Sequence, residues 1–193
     1  MALPEILVIR HGETEWNRAG RMQGALDSPL TETGKAQARA LGLLLQRIGV
    51  TADSHLFLTS PQGRARRTAA LSLDPLGATA RDEPLLGEIK MGRWTGLSRA
   101  EIEARWPAPH PDEHVLDFYA RAPGAERFDA VWARVGTLLD RLDRPAVLYT
   151  HGITSRFLRT RAMGWGIDRL AELPGGQGVI NRVSDGRHQT LHP

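Results

Sequence analysis

A chain of 193 residues, 41% hydrophobic and 24% charged, suits one domain with a sizeable core, taken as residues 1–193. The lack of cysteine excludes disulfides, a thiolate nucleophile and thiolate metal sites, and no apolar run approaches the roughly 20 residues that cross a bilayer. The formal net charge of +3 comes from scattered arginines without aromatic-interleaved basic repeats, which argues against nucleic acid and a membrane as partners.

Met1-Ala2-Leu3-Pro4-Glu5 carries no basic region ahead of its apolar neighbours, so a cytoplasmic location is expected rather than secretion. Ile6-Leu7-Val8-Ile9 reads as a short buried strand. Thr31 then caps a helix whose Ala40, Leu41, Leu44, Leu45 and Ile48 share one face, and Gly49 stops it. Leu56-Phe57-Leu58-Thr59 is a second strand, followed by a helix over 64–72 and another over 99–106. From Trp106 to Gly124, Pro107, Pro109, Pro111 and Pro123 predict a long surface excursion of the kind that often lies over active sites. Residues 126–142 form a strong helical pattern, with Phe128, Val131, Trp132, Val135, Leu138, Leu139 and Leu142 at a 3.6 period. Ala146-Val147-Leu148-Tyr149 is the third strand, and a helix over 154–163 follows it. Gly178 to Val183, then Asp185-Gly186, reads as a terminal hairpin. Strands alternating with helices define an α/β fold, with a mostly parallel sheet covered on both faces.

In open α/β sheets ligands bind beyond the carboxyl ends of the strands. The first strand ends in Arg10-His11-Gly12, the second in Ser60-Pro61-Gln62-Gly63-Arg64, and the third in Thr150-His151-Gly152. Those residue types suit phosphoryl transfer, where negative charge spreads over three oxygens and needs fixed donors. Arg10 and Arg64 offer planar forks matched to phosphate, and Asn17 adds an uncharged donor. Gly152 permits close backbone approach, and the helix expected from Thr154 would point its first amides at the anion. One neutral imidazole nitrogen can attack phosphorus, kept neutral by adjacent arginines, while a protonated second histidine donates to the phosphoryl oxygens. Glu88 is a candidate acid for the leaving alkoxide and a later base for water. Arg18, Arg21, Arg93, Arg99 and Arg121 are candidates for a cationic mouth.

Taken together these motifs resemble the histidine phosphatase superfamily, also called the phosphoglycerate mutase-like family. The residues that carry the resemblance are Arg10-His11-Gly12-Glu13-Thr14-Glu15-Trp16-Asn17, Gln23-Gly24, and the stretch from Asp27 to Gly34. Further along they are Ser60 to Ala65 with Thr68-Ala69, then Glu88 with Gly92, Trp94 and Gly96, and Thr150-His151-Gly152. The resemblance implies a three-layer α/β/α sandwich and an acid phosphatase-type phosphomonoesterase with no cofactor or metal requirement. It implies His11 as phosphorylated nucleophile, Glu88 as proton donor, and Arg10, Asn17, Arg64 and His151 as phosphate ligands. Thr14, Gln23, Gly24 and Gly152 lie in the same motifs as substrate-binding candidates. Two departures stand out: Pro61-Gln62-Gly63 replaces the usual acidic-apolar lead-in, and Pro123-Gly124-Ala125-Glu126 resembles a degraded Gly-Gly-Glu-Ser segment.

The expected partner is a small phosphorylated metabolite, with a homodimer as the oligomeric expectation. A phosphoglycerate mutase-type phosphotransferase is the alternative, but mutases of the family carry a longer insertion than the 62 residues between Glu88 and His151. A catalytically silent binding protein is a further alternative, disfavoured because no expected catalytic residue is missing. His110, His114, His188 and His192 are expected to be solvated, and Arg66 and Arg67 to lie on an outer helix face.

Overall fold

The computed structural model describes residues 3–107 and 115–193. Strands β1 (Ile6–Arg10), β2 (Leu56–Thr59), β3 (Arg81–Asp82) and β4 (Ala146–Thr150) run parallel. Strands β5 (Ile180–Ser184) and β6 (Arg187–Leu191) add an antiparallel edge, giving one six-stranded sheet in the order β3-β2-β4-β1-β5-β6. Helices α1 (Glu15–Arg18), α2 (Glu32–Arg47), α3 (Gly63–Leu73), α4 (Arg99–Arg105), α5 (Val115–Ala120), α6 (Phe128–Leu139) and α7 (Gly152–Ala162) accompany it.

Strand side chains alternate between faces, so each strand feeds two cores. Leu7, Ile9, Val147 and Tyr149 pack with Leu41, Leu44 and Leu45 of α2 and Ala69 and Leu73 of α3. Ile6, Val8, Ala146 and Leu148 face the other way, against Val131, Val135 and Leu138 of α6 and Phe157 and Leu158 of α7. This is the three-layer α/β/α arrangement with a mostly parallel sheet. Among the described residues, no helix is long and apolar enough to cross a membrane.

The element ends depart from the sequence pattern where capping decides them. Thr31 caps α2, its hydroxyl accepting from the Gly34 amide at 3.0 Å. Ile48, expected on the buried face, falls outside the last turn and is exposed, because the chain leaves through Gly49 at φ +78°. Helix α6 is shorter than 126–142. Glu126 stays outside it, bonded to Arg134 at 2.8 Å, and the chain past Leu139 tightens into i→i+3 turns. Helix α7 begins at Gly152 rather than Thr154, because His151 is extended and its carbonyl already accepts from Ser155. Asp185 and Gly186, at φ 50° and 70°, form the two-residue hairpin turn.

The proline-rich segment is not a plain surface excursion. Its part beyond residue 114 folds into α5, and Phe118 packs on the fully buried Trp94 with ring centroids 4.6 Å apart. Pro109, His110, Pro111 and His114 lie outside the described residues. His188 is not simply solvated either. It is half-buried on β6, with Nε2 3.0 Å from Asn181 Oδ1 on β5, whereas His192 is exposed.

Helices α2 and α3 are in close contact at Gly42, where a Cβ would lie 2.5 Å from the Ser72 carbonyl oxygen. Gly42→Ala gains about 1 kcal/mol of helix propensity but overpacks a rigid backbone contact at a cost of roughly 1–3 kcal/mol. The clash wins. A urea titration is expected to show a lower midpoint at unchanged slope, and a raised midpoint would contradict this packing.

Candidate active site

In the parallel β1–β4 pair Arg10 is in register with Thr150. The next residue on each strand is a histidine, and the His11 amide donates to the Thr150 carbonyl at 2.9 Å. The two imidazoles consequently lie side by side, ring centroids 5.2 Å apart, at the carboxyl edge of the sheet. Gly12 lets the chain turn beneath α2: a Cβ there would meet the Gly34 carbonyl oxygen at 2.4 Å. The Gly12 amide is anchored on Thr68 Oγ1 at 3.0 Å.

The His11 environment selects one tautomer and one charge state. Nδ1 lies 2.8 Å from the Gly12 carbonyl oxygen, which can only accept, so Nδ1 carries the hydrogen and Nε2 keeps its lone pair. Burial, then the Arg10 and Arg64 charges, hold the ring well below the usual histidine range, against a smaller opposing effect of the Gly12 bond. His151 is fully buried with Nε2 2.8 Å from Ser60 Oγ. The expectation that it is protonated fails in this environment: burial, then the Arg64, Arg10 and Arg134 charges, keep it neutral.

Arg64 is buried in the site, whereas Arg66 pairs with Asp82 at the surface and Arg67 is exposed. Asp27 holds Arg64 Nη1 at 2.8 Å and also accepts from the Gly63 and Arg64 amides, capping α3 from outside the helix. The Gly24 and Leu26 carbonyls take the remaining Nη bonds. Asn17 Oδ1 accepts from the Thr14 amide and Gln177 Nε2, which turns Nδ2 outward as the free donor.

Glu88 occupies the start of α7. Its Oε1 accepts from the Ile89 and Thr154 amides at 3.0 and 3.1 Å, and its Oε2 from the Ile153 amide at 3.3 Å. The helix N-terminus therefore serves this carboxylate; it does not reach an anion directly, as the sequence suggested. Gln62, in the segment that departs from the family pattern, ties these parts together. Its Oε1 accepts from the Glu88 amide at 2.8 Å and its Nε2 donates to the Gly24 carbonyl at 2.8 Å.

Arg10, His11, Asn17, Gln23, Gly24, Arg64 and Glu88 line one cleft of about 230 Å³. Seven buried side-chain atoms among the described residues have no hydrogen-bond partner in the protein, and Arg10 Nε, Gln23 Oε1, Arg64 Nε and His151 Nδ1 are four of them. Buried polar groups are nearly always paired, so a cluster of orphans marks where a polar ligand is met. Thr14 stays behind the cleft, its hydroxyl engaged with Asn17 and Gln23. Gly152 lines an adjoining compartment, close against the Arg10 guanidinium.

The cationic mouth is differently composed than expected. Of its five candidates only Arg21 lines the cleft. Arg18 and Arg99 pair with Glu15 and Glu103, while Arg93 and Arg121 stack over Trp106 and Trp94. Sequence reading missed Tyr119, Arg156, Arg159, Gln177 and Asn181. For the two arginines a signal existed: residues 152, 155, 156 and 159 share one face of a helix that begins at the second histidine. Tyr119 and Asn181 arrive from elements distant in sequence.

Fold and site together define an α/β protein that gathers paired histidines and arginines at the carboxyl edge of its sheet. The chain belongs to the histidine phosphatase superfamily (branch 1), whose family model matches residues 6–191. It is similar to a probable phosphoglycerate mutase of Photorhabdus laumondii, 38% identical over 77% of this chain and 70% of that protein. A glucosyl-3-phosphoglycerate phosphatase of Mycobacterium tuberculosis is 33% identical over 79% of this chain and 72% of that protein. The solved mycobacterial glucosyl-3-phosphoglycerate phosphatase in complex with VO3 superimposes with a TM-score of 0.82, at 28% identity and 98% coverage of both chains.

Two neutral buried histidines couple stability to pH. The unfolded chain protonates them near their ordinary value of 6.5, and the folded protein does so only well below it. Stability is therefore fully present above about pH 6.5 and is lost as the pH falls below it, at about 1.4 kcal/mol per pH unit for each histidine. Urea unfolding between pH 7 and 5 is expected to show a slope that His11→Gln or His151→Gln reduces by one proton. An unchanged slope in both variants would refute the assignment.

Proposed function

We propose that the chain is a phosphomonoesterase acting on a small phosphorylated metabolite through a phosphohistidine on His11. The observation that carries this reading is the His11 ring itself: buried, neutral, anchored through Nδ1, with a free Nε2 beside two arginines whose Nε groups lack partners. The relatives named as phosphatases support it.

The residues divide the reaction between them. Arg10, Arg64 and the Asn17 amide hold the phosphoryl oxygens, and their charge stands in for the metal that many phosphoryl-transfer sites use. His151 adds a neutral ring whose Nε2 is bonded to Ser60 Oγ and whose buried Nδ1 has no partner among the described residues. His11 Nε2 forms the N–P bond as the ester P–O bond breaks, and the leaving alkoxide takes the proton of Glu88. Water then attacks phosphorus and yields its proton to the Glu88 carboxylate. The N–P bond breaks, and phosphate leaves with His11 restored. We assign this reaction to the cytoplasm.

Purified protein is expected to release inorganic phosphate from p-nitrophenyl phosphate, and a rapid acid-free quench to trap a base-stable, acid-labile phosphoenzyme. His11→Ala should abolish both. Retained turnover in that variant would overturn the proposal, and transfer to an acceptor without net phosphate release would indicate a phosphotransferase.

Glu88→Gln separates the proton-transfer role from binding. General acid catalysis contributes roughly 10²–10⁴-fold, but a p-nitrophenolate leaves without needing a proton. The variant should slow alkyl phosphate hydrolysis by about that factor and slow aryl phosphorylation of the enzyme far less. Equal losses on both substrates would remove Glu88 from the acid role.

A further inference from the structure

Gln62 stands at the N-cap of α3, where a short polar side chain normally folds back onto the first helix amides. It makes no such bond, because Asp27 accepts from the Gly63 and Arg64 amides from outside the helix. The Gln62 side chain is thereby free to reach away from α3, and both of its polar atoms engage distant backbone. Oε1 accepts from the Glu88 amide and Nε2 donates to the Gly24 carbonyl, each at 2.8 Å. A backbone amide only donates and a carbonyl only accepts, so these partners fix which way the side-chain amide points.

Both partners belong to the site. The Gly24 carbonyl also accepts from Arg64 Nη2 at 2.9 Å, so a single oxygen separates Gln62 from a proposed phosphate ligand. The other bond falls on the residue that bears the proposed proton donor. Ser60 Oγ lies 3.3 Å from Gln62 Oε1 and 2.8 Å from His151 Nε2, which brings the third strand end into the same chain of contacts. Gln62 itself does not line the cleft and can act only through these neighbours.

The Glu88 segment runs between two short 3-10 turns, Pro84–Leu86 and Gly92–Trp94, with no strand ladder to hold it. Thr150 Oγ1 donates to the Leu86 carbonyl and Thr154 Oγ1 to the Gly87 carbonyl, both at 2.7 Å. Those anchors come from β4 and α7, as do the amides that gather the Glu88 carboxylate. Gln62 supplies the tie to the Gly24 loop and Arg64. Among the described residues, the Glu88 amide bonds no backbone carbonyl, so its partner is this side chain.

Building on the phosphomonoesterase reading, we propose that Gln62 is a positioning residue for proton transfer, fixing the Glu88 segment against the Gly24 loop and so placing the carboxyl group relative to a phosphoryl group on Arg64. A general acid must lie within hydrogen-bond reach of the leaving oxygen, and a misplacement of about 1 Å can cost on the order of 10²-fold. Without Gln62, Arg64 is still clamped by Asp27 and the Leu26 carbonyl. Loss of the tether therefore loosens the acid and leaves anion binding in place.

Gln62→Met keeps the side-chain length and removes both bonds. Single-turnover phosphorylation of the enzyme is followed with phenyl phosphate and p-nitrophenyl phosphate, which share a ring but differ in how much the leaving oxygen needs a proton. On phenyl phosphate the variant should lower the saturating rate about tenfold or more and keep half-saturation within about twofold. On p-nitrophenyl phosphate the rate should fall far less. In a Glu88→Gln background no carboxyl group remains to be placed, so adding Gln62→Met should change the phenyl phosphate rate by less than about twofold. A merely structural glutamine would slow both esters alike and multiply with Glu88→Gln. Either result, or an unchanged phenyl phosphate rate, would overturn the proposal. A thermal melt checks the fold, and Gln62→Leu takes the place of Gln62→Met if the latter does not fold. Failure of both to fold would assign Gln62 to stability and equally overturn it. Failure of the phosphatase reading shows separately, as absence of phosphate release from p-nitrophenyl phosphate by the unmodified chain.

Discussion

The parallel register between β1 and β4, Arg10 opposite Thr150, is the constraint on which the site depends. Because both strands are followed by histidine, that pairing delivers two imidazoles to the same edge of the sheet without any loop to position them. A slip of one residue would send His11 to the opposite face, since strand side chains alternate. The register is in turn enforced by the two cores: Leu7 and Ile9 must enter one, Ile6 and Val8 the other. The pairing of the two histidines and the core packing thus depend on the same alignment.

Around the histidines the charges are arranged asymmetrically. Two carboxylates hold fixed places at the site: Asp27 clamps one edge of Arg64 and caps α3, while the Glu88 carboxylate is gathered by the first amides of α7. Among the described residues, Arg10, Arg156 and Arg159 make no ion pair, although the Glu88 carboxylate lines the same space as Arg10. Burial first, and then the arginine charges, keep His11 and His151 unprotonated. Gln62, in the segment that departs from the acidic-apolar lead-in, joins the Glu88 segment to Gly24 through two bonds at 2.8 Å.

Much of the fold was legible in local pattern. The three buried strands, the Thr31 cap and the terminal hairpin are encoded by apolar runs, a hydroxyl before a helix and an Asp-Gly turn, each of which acts within a few residues. Errors fell at boundaries and at partners. Ile48 fits the α2 period but lies past its last turn, and α7 starts at Gly152, capped by His151, where the pattern began it at Thr154. The strand-end histidines and Arg10, Arg64 and Glu88 were readable because strand ends in such sheets converge, and their motifs have a characteristic spacing.

What the sequence by itself determined is the set of groups at the strand ends and the kind of chemistry they suit. Their charge states, tautomers and companions were decided by tertiary structure. A histidine's protonation depends on burial and on charges brought near by other elements, and an arginine's availability depends on whether a carboxylate reaches it. Arg18 and Arg99 found such partners and Arg156 and Arg159 did not, a distinction that residue type alone does not carry. The proposed nucleophile was thus written into one tetrapeptide. The surroundings that make His11 neutral, and the adjoining compartment that Arg156 and Arg159 line, exist only once α5, α7 and β5 are folded around that strand end.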